Sequence, residues 1–289
     1  MIDKIFHKRA RDLGGIIVGR VLPIGGKGVG PFVFFDHMGP ADFEPGIPPS
    51  VDVRPHPHIG LATVTYLYQG EIMHRDSVGS EQRIVANEVN WMIAGRGITH
   101  SERFEKARMQ GDRLHGIQAW VALPIDQEEC APEFFHHGQE DLPEWREDGA
   151  TQRLIAGEAY GERSAVKTLS PMFYIHAELE QGARSGLPDT FPERAVYVSA
   201  GAVEIDGQLV TAGSMVTFAA NSASTVRAEL QSTLMFLGGE PLGPRFIEWN
   251  FVSSSKDRIA QAKVDWRAGR MKLPDLDNQE FIPLPEESH

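Results

Sequence analysis

The segment Arg54-Pro55-His56-Pro57-His58-Ile59-Gly60 and its companion Gly95-Arg96-Gly97-Ile98-Thr99-His100-Ser101-Glu102 decide how this chain is read. Each holds two potential metal ligands at i, i+2, a spacing that puts both side chains on one face of an extended strand. Between the segments lie two runs with strand character, Thr63 to Gln69 and Ile84 to Ala94. If the ligand-bearing strands neighbour each other in a barrel, His56, His58, His100 and Glu102 converge on one point. A single histidine in a strand is ordinarily a hydrogen-bonded core or surface residue. Two such pairs, the second behind a Gly-x-Gly turn, point to a metal site. Imidazole with carboxylate and no thiolate suits a borderline metal such as iron, nickel, copper, manganese or zinc.

Composition narrows the class. A chain of 289 residues allows one large domain or two ordinary ones. Its 41% hydrophobic and 24% charged content is that of a soluble globular protein with a real core. The 28 basic and 40 acidic residues leave a formal charge of −12, and no run of Lys and Arg offers a patch for nucleic acid phosphates. Cys130 is the sole cysteine, which excludes an intrachain disulfide. Met1 to Gly15 has no apolar h-region, and no stretch approaches the length of a membrane span. The expectation is a soluble, cytoplasmic protein that binds neither nucleic acid nor membrane.

Glycines at Gly70, Gly79, Gly95 and Gly97 punctuate short strands with the rhythm of an all-β barrel or sandwich, and no amphipathic helix shows before residue 125. Residues 126 to 149 are acidic and proline-bearing and read as a connector between domains. From Gln152 the strand rhythm returns, with Val203 to Val210 predicted as a hairpin about Asp206-Gly207. The two halves therefore read as tandem copies of one β architecture. Ser254-Ser255 supplies a predicted N-cap for a helix over Lys256 to Arg267 that packs Ile259, Lys263 and Trp266, with Gly269 as its stop. The tail from Pro274 to His289 is expected to drape on the surface or to be disordered.

His56-Pro57-His58-Ile59-Gly60 with Thr63-Val64-Thr65-Tyr66-Leu67, then Gly70-Glu71 and His74-Arg75-Asp76-Ser77, resembles the first cupin motif as pirins carry it. Asn90 to Glu102 resembles the second, His115 to Val121 continues the likeness, and Asp265-Trp266-Arg267-Ala268-Gly269-Arg270 extends it more weakly. The resemblance implies two tandem double-stranded β-helix (cupin) barrels packed face to face. Residues 1–130 would be a metal-binding N-terminal cupin. Residues 131–289 would be a C-terminal cupin without metal, plus a short C-terminal helix and tail. Two barrels so packed fit a monomer. It further implies His56, His58, His100 and Glu102 as metal ligands, with Fe(II) foremost and Ni, Cu, Mn, Co or Zn as alternatives. General cupins carry a glutamate ligand where Ala62 stands here, so Glu102 has no local competitor. His74 and His115 are expected to support the site rather than bind metal, and Val64 and Tyr66 to line it.

The activity implied is that of a quercetin 2,3-dioxygenase. A flavonol binds by its 3-hydroxyl and 4-keto oxygens, O2 attacks, the ring opens and carbon monoxide leaves. Glu102 then has a second task, taking the 3-hydroxyl proton. The competing implication is a non-catalytic, redox-sensitive iron protein that binds a transcription factor or metabolic enzyme.

Overall fold

The computed structural model describes residues 1–12, 16–220 and 222–286. Residues 13–15, residue Asn221 and the last three residues of the tail lie outside the described residues. The chain forms two compact units that interleave along its length. One consists chiefly of Met38–His136 with the segment from Gly243 onward; the other of Met1–Arg11, Val18–His37 and His137–Leu242. This partition in space differs from a cut after residue 130, because the C-terminal helix belongs to the unit that carries His56 and His100. Among the described residues no helix is long and apolar enough to cross a membrane.

The histidine-bearing unit is built from two antiparallel sheets. The first has the strand order Val53–His58, Ile98–Arg103, Glu71–Asp76, Glu81–Val85. The second runs Glu133–His137, Val89–Ile93, Leu61–Gln69, Asp112–Ala122. Gly60, at φ +68°, separates the end of the first ligand strand from Leu61 in the other sheet. A Cβ there would meet the Val252 carbonyl oxygen at 2.0 Å, so glycine is required on steric grounds as well. The run Ile84 to Ala94 is two strands rather than one. Asn87, at φ +67°, breaks it, and its halves join different sheets. Asparagine tolerates that left-handed conformation, and an alternating pattern conceals the break.

Two local elements escaped the sequence reading. Glu105–Gln110 is a six-residue helix that buries only Ala107, too short to show a period. Glu133–His137, within the acidic stretch read as a connector, is a strand on the edge of the second sheet. The C-terminal helix spans Lys256–Arg267, as expected, with the Ser255 hydroxyl accepting from Arg258 N. It ends in a Schellman arrangement, Gly269 N donating to Trp266 O and Arg270 N to Asp265 O. Its buried face is Ile259, Ala262 and Trp266, packed on Ile59 and Phe251. Lys263 turns instead to Glu248.

The other unit is again two antiparallel sheets. Its larger sheet includes Ile2–His7, Ser214–Phe218, Glu193–Ala200, Ser232–Gly239, Met172–Leu179 and Ala150–Ala159. The smaller has Arg184–Gly186, Thr225–Ala228, Ala202–Ile205 and Gln208–Thr211. Leu154, Phe173, Ile175, Val196, Val198 and Phe236 are fully buried in the core they share. The predicted hairpin is present: Asp206 and Gly207 stand at φ +51° and +76°, the primed turn that matches strand twist.

Candidate metal centre

The strands Val53–His58 and Ile98–Arg103 pair antiparallel with His100 opposite His56. The register slips between His100 and Glu102, so that Glu102 pairs with Val53 and the Arg54-Pro55 step is bulged. Proline lacks an N–H and is tolerated at such a break. The bulge frees two carbonyls, and both are used: Arg54 O holds His56, and Pro55 O accepts from Ile282 N at 2.8 Å.

His56, His58 and His100 are all buried. Each offers one ring nitrogen within 4.8 Å of the others. The outward nitrogens are committed. Nδ1 of His56 donates to Arg54 O at 2.9 Å, and Nδ1 of His58 to Asn250 O at 3.1 Å. His100 Nδ1 lies 3.4 Å from His74 Nδ1, and His74 Nε2 lies 3.0 Å from Asp76 Oδ2. Asp76 is acceptor-only as a carboxylate, so His74 carries its proton on Nε2 and accepts at Nδ1. His100 then donates from Nδ1. All three histidines are thereby left with a bare Nε2 lone pair.

The electrostatics agree with that state. Burial pushes His56 down to about 4, the Arg54 carbonyl opposing and His74 adding to the shift. Burial, then the neighbouring histidines, hold His58 and His100 well below the ordinary imidazole range. Neutral imidazole is the ligating form. His58 Nε2 and His100 Nε2 face each other at 3.1 Å. Two bare lone pairs cannot bond one another, and a cation between them removes the conflict. The residues present therefore fit a metal.

Glu102 is buried one step along from His100 on the same strand face. It is not part of the three-histidine group. Its Oε1 accepts from Thr65 Oγ1 at 3.3 Å, and Thr65 Oγ1 is also 2.8 Å from Gln118 Oε1. Burial pushes the Glu102 carboxyl up to about 7, against the pull of the Thr65 hydrogen bond.

The surroundings correct one expectation. Thr65 faces the site, so its neighbours Val64 and Tyr66 point to the opposite side of the strand and do not line it. The phase set by His56 and His58 is lost at Gly60. The aromatic neighbours are Trp120, edge-on to His58 at 5.2 Å, and Phe134, stacked on His74 at 4.4 Å. His115 sits edge-on to Tyr68 at 4.7 Å. His136 bonds Asn90 Oδ1 at 2.8 Å. Asp76, Thr65, Gln118 and Asn250 were missed by the sequence reading; only His74-x-Asp76, with its i, i+2 spacing, carried a signal. In the other unit His176 is buried, its Nε2 3.6 Å from Glu178 Oε1.

Paired antiparallel sheets in both units, with a three-histidine centre in one, define a protein of two cupin domains. Residues 18–121 match the Pirin family model and residues 174–272 that of the pirin C-terminal cupin domain. The chain belongs to the pirin family. It is 61% identical to a Caulobacter vibrioides "Pirin-like protein", over 99% of this chain and 100% of that one. It is 38% identical to a Pseudomonas aeruginosa protein named "Putative quercetin 2,3-dioxygenase", over 96% of this chain and 87% of that one. A crystal structure of quercetin 2,3-dioxygenase from Acinetobacter baumannii superimposes with a TM-score of 0.87 at 31% identity, covering 99% of this chain and 97% of that one.

Proposed function

We propose that the chain is a metal-dependent dioxygenase that cleaves flavonols such as quercetin with O2 and releases carbon monoxide, with iron as the resident metal. The observation that carries this reading is the convergence of three bare Nε2 atoms of buried histidines, with the buried carboxyl of Glu102 next along the strand face. The dioxygenases among the relatives supply the substrate class. His56, His58 and His100 hold the metal, with Glu102 as the fourth ligand. When bound, the metal supplies Lewis acidity that lowers the pKa of the flavonol 3-hydroxyl, and an open position for oxygen chemistry. Glu102 takes the 3-hydroxyl proton, and the metal's lowering of that hydroxyl's pKa lets a carboxylate serve as the base. Thr65 orients its Oε1. Trp120 and Phe134 give the planar substrate aromatic walls. The divide between residues 1–130 and 131–289 belongs to the same proposal, one cupin copy on each side, and the two family matches fall on either side of it.

The test is anaerobic loading with iron, then addition of quercetin and O2, with carbon monoxide and the ring-opened depside measured. Turnover lost in His56→Ala and Glu102→Ala supports the reading. No product with iron, nickel, copper or manganese refutes it.

A further inference from the structure

The C-terminal segment is fastened to the two strands that carry all four candidate ligands. Thr99 Oγ1 donates to Lys272 O. Arg103 donates to both oxygens of Asp277 at 2.7 Å and, from both terminal nitrogens, to Glu280 Oε1 at 3.1 Å. Ile282 N bonds Pro55 O in the bulge at 2.8 Å, and Ile282 O accepts from Trp266 Nε1 at 3.0 Å. Phe281 sits edge-on to Trp266 at 5.4 Å, and Leu284 packs against the cluster of Ile59, Phe251 and Trp266.

Thr99 and Arg103 flank His100 and Glu102, and Pro55 precedes His56. Side chains alternate along a strand, so tying down the outward residues fixes the aim of the inward ones. Arg103 is only 8% exposed, and its fork is a bidentate match for Asp277. Burial pushes the Asp277 carboxyl up, but the hydrogen bonds from Arg103 and the charges of Arg103 and Arg75 outweigh it and hold it below the usual range. On a chain of charge −12 this anchor also offsets the repulsion that Asp277 and Glu280 would otherwise meet on docking.

We propose that Met271–Leu284 is a positioning strap for the metal centre, with Asp277, acting through Arg103, as its principal anchor. The proposal rests on the metal reading above. Its test uses Co2+ as the probe on the full chain, with amide hydrogen exchange measured on the metal-free protein. Asp277→Asn is expected to weaken Co2+ binding about tenfold, the lower end for partners beyond the ligand shell. It is also expected to shift the d–d absorption bands and to speed exchange along Val53–His58 and Ile98–Arg103, leaving Met172–Leu179 in the other unit unchanged. Asp277→Glu, which keeps the charge, should recover most of the affinity. A chain ending at Arg270 should show the same changes, larger. Wild-type affinity, spectrum and exchange in Asp277→Asn would overturn the strap. If the wild type binds no Co2+, the metal reading falls, and the exchange comparison alone decides the strap.

Discussion

Replacing Asp76 with asparagine should weaken metal binding at a site that Asp76 does not touch. Asp76 is 1% exposed and accepts three hydrogen bonds: from His74 Nε2 at 3.0 Å, Val78 N at 3.0 Å and Ser80 N at 2.9 Å. A carboxylate can do this with acceptors alone; an amide has one oxygen and one NH2. The oxygen must stay with the two backbone N–H groups, since a buried donor left unpaired costs about 1–3 kcal/mol. The NH2 then faces His74 Nε2, which has to become an acceptor. The His74 proton moves to Nδ1, where it points at His100 Nδ1, 3.4 Å away. The His100 proton is driven in turn onto Nε2, the ligand atom. Metal can bind only by breaking one link of this reversed chain, a penalty of about 1.4–2.7 kcal/mol, or 10- to 100-fold in affinity. Competition for Co2+ against a chromophoric chelator measures it. His56 and His58 keep their own carbonyl partners, so weak binding should persist. An Asp76→Asn dissociation constant within twofold of wild type would refute the tautomer argument.

Two further outcomes follow from the same geometry. The folded, metal-free chain holds the Glu102 proton up to about pH 7, whereas an unfolded chain loses it near 4.5. Between those values the folded state binds the extra proton, so this group's contribution to stability falls as pH rises. Relative to Glu102→Gln, the metal-free wild type should therefore lose about 3 kcal/mol between pH 4.5 and 7, read from urea unfolding at each pH; parallel profiles would contradict the burial of this carboxyl. Gly95 stands at φ +50°, and a Cβ there would lie 2.1 Å from the Cys130 carbonyl oxygen. Gly95→Ala should cost about 2 kcal/mol or more in a urea titration, because both strain and a backbone clash oppose it.

What the sequence made legible was whatever depends on short periods. Two i, i+2 ligand pairs sufficed to place three histidines and Glu102 on paired strands, and the Ser254-Ser255 pair and the Gly269 stop framed the helix. Phase fails where the backbone resets. Val64 and Tyr66 were counted in step with His58, but Gly60 at φ +68° turns the chain into another sheet and breaks the count. Partners that arrive from far along the chain are equally invisible. The carbonyl of Asn250 has no side-chain signature, and nothing in Pro274 to His289 announces that Asp277 meets Arg103. The family resemblance located the centre; only the fold shows what holds it.

Each imidazole of that centre takes its orientation from a different source. His56 uses a carbonyl freed by a bulge two residues away, His100 a His74–Asp76 relay from the next strand, and His58 a carbonyl from the C-terminal segment. The last has an evident cost. Trp249 and Asn250 form the two-residue turn joining Phe246–Glu248 to Phe251–Ser253, and Trp249 stands at φ +54° in its first position, where glycine is favoured. A bulky residue there carries about 1–2 kcal/mol of strain. Its ring is held edge-on to Phe251 at 5.4 Å and tilted against Trp266 at 6.3 Å. Glycine would relax the turn but lose that packing, and with it the fixed direction of the neighbouring Asn250 carbonyl. The strain is thus tied to the aim of His58, and the helix that supplies Trp266 supports the centre from a part of the chain that contributes no ligand.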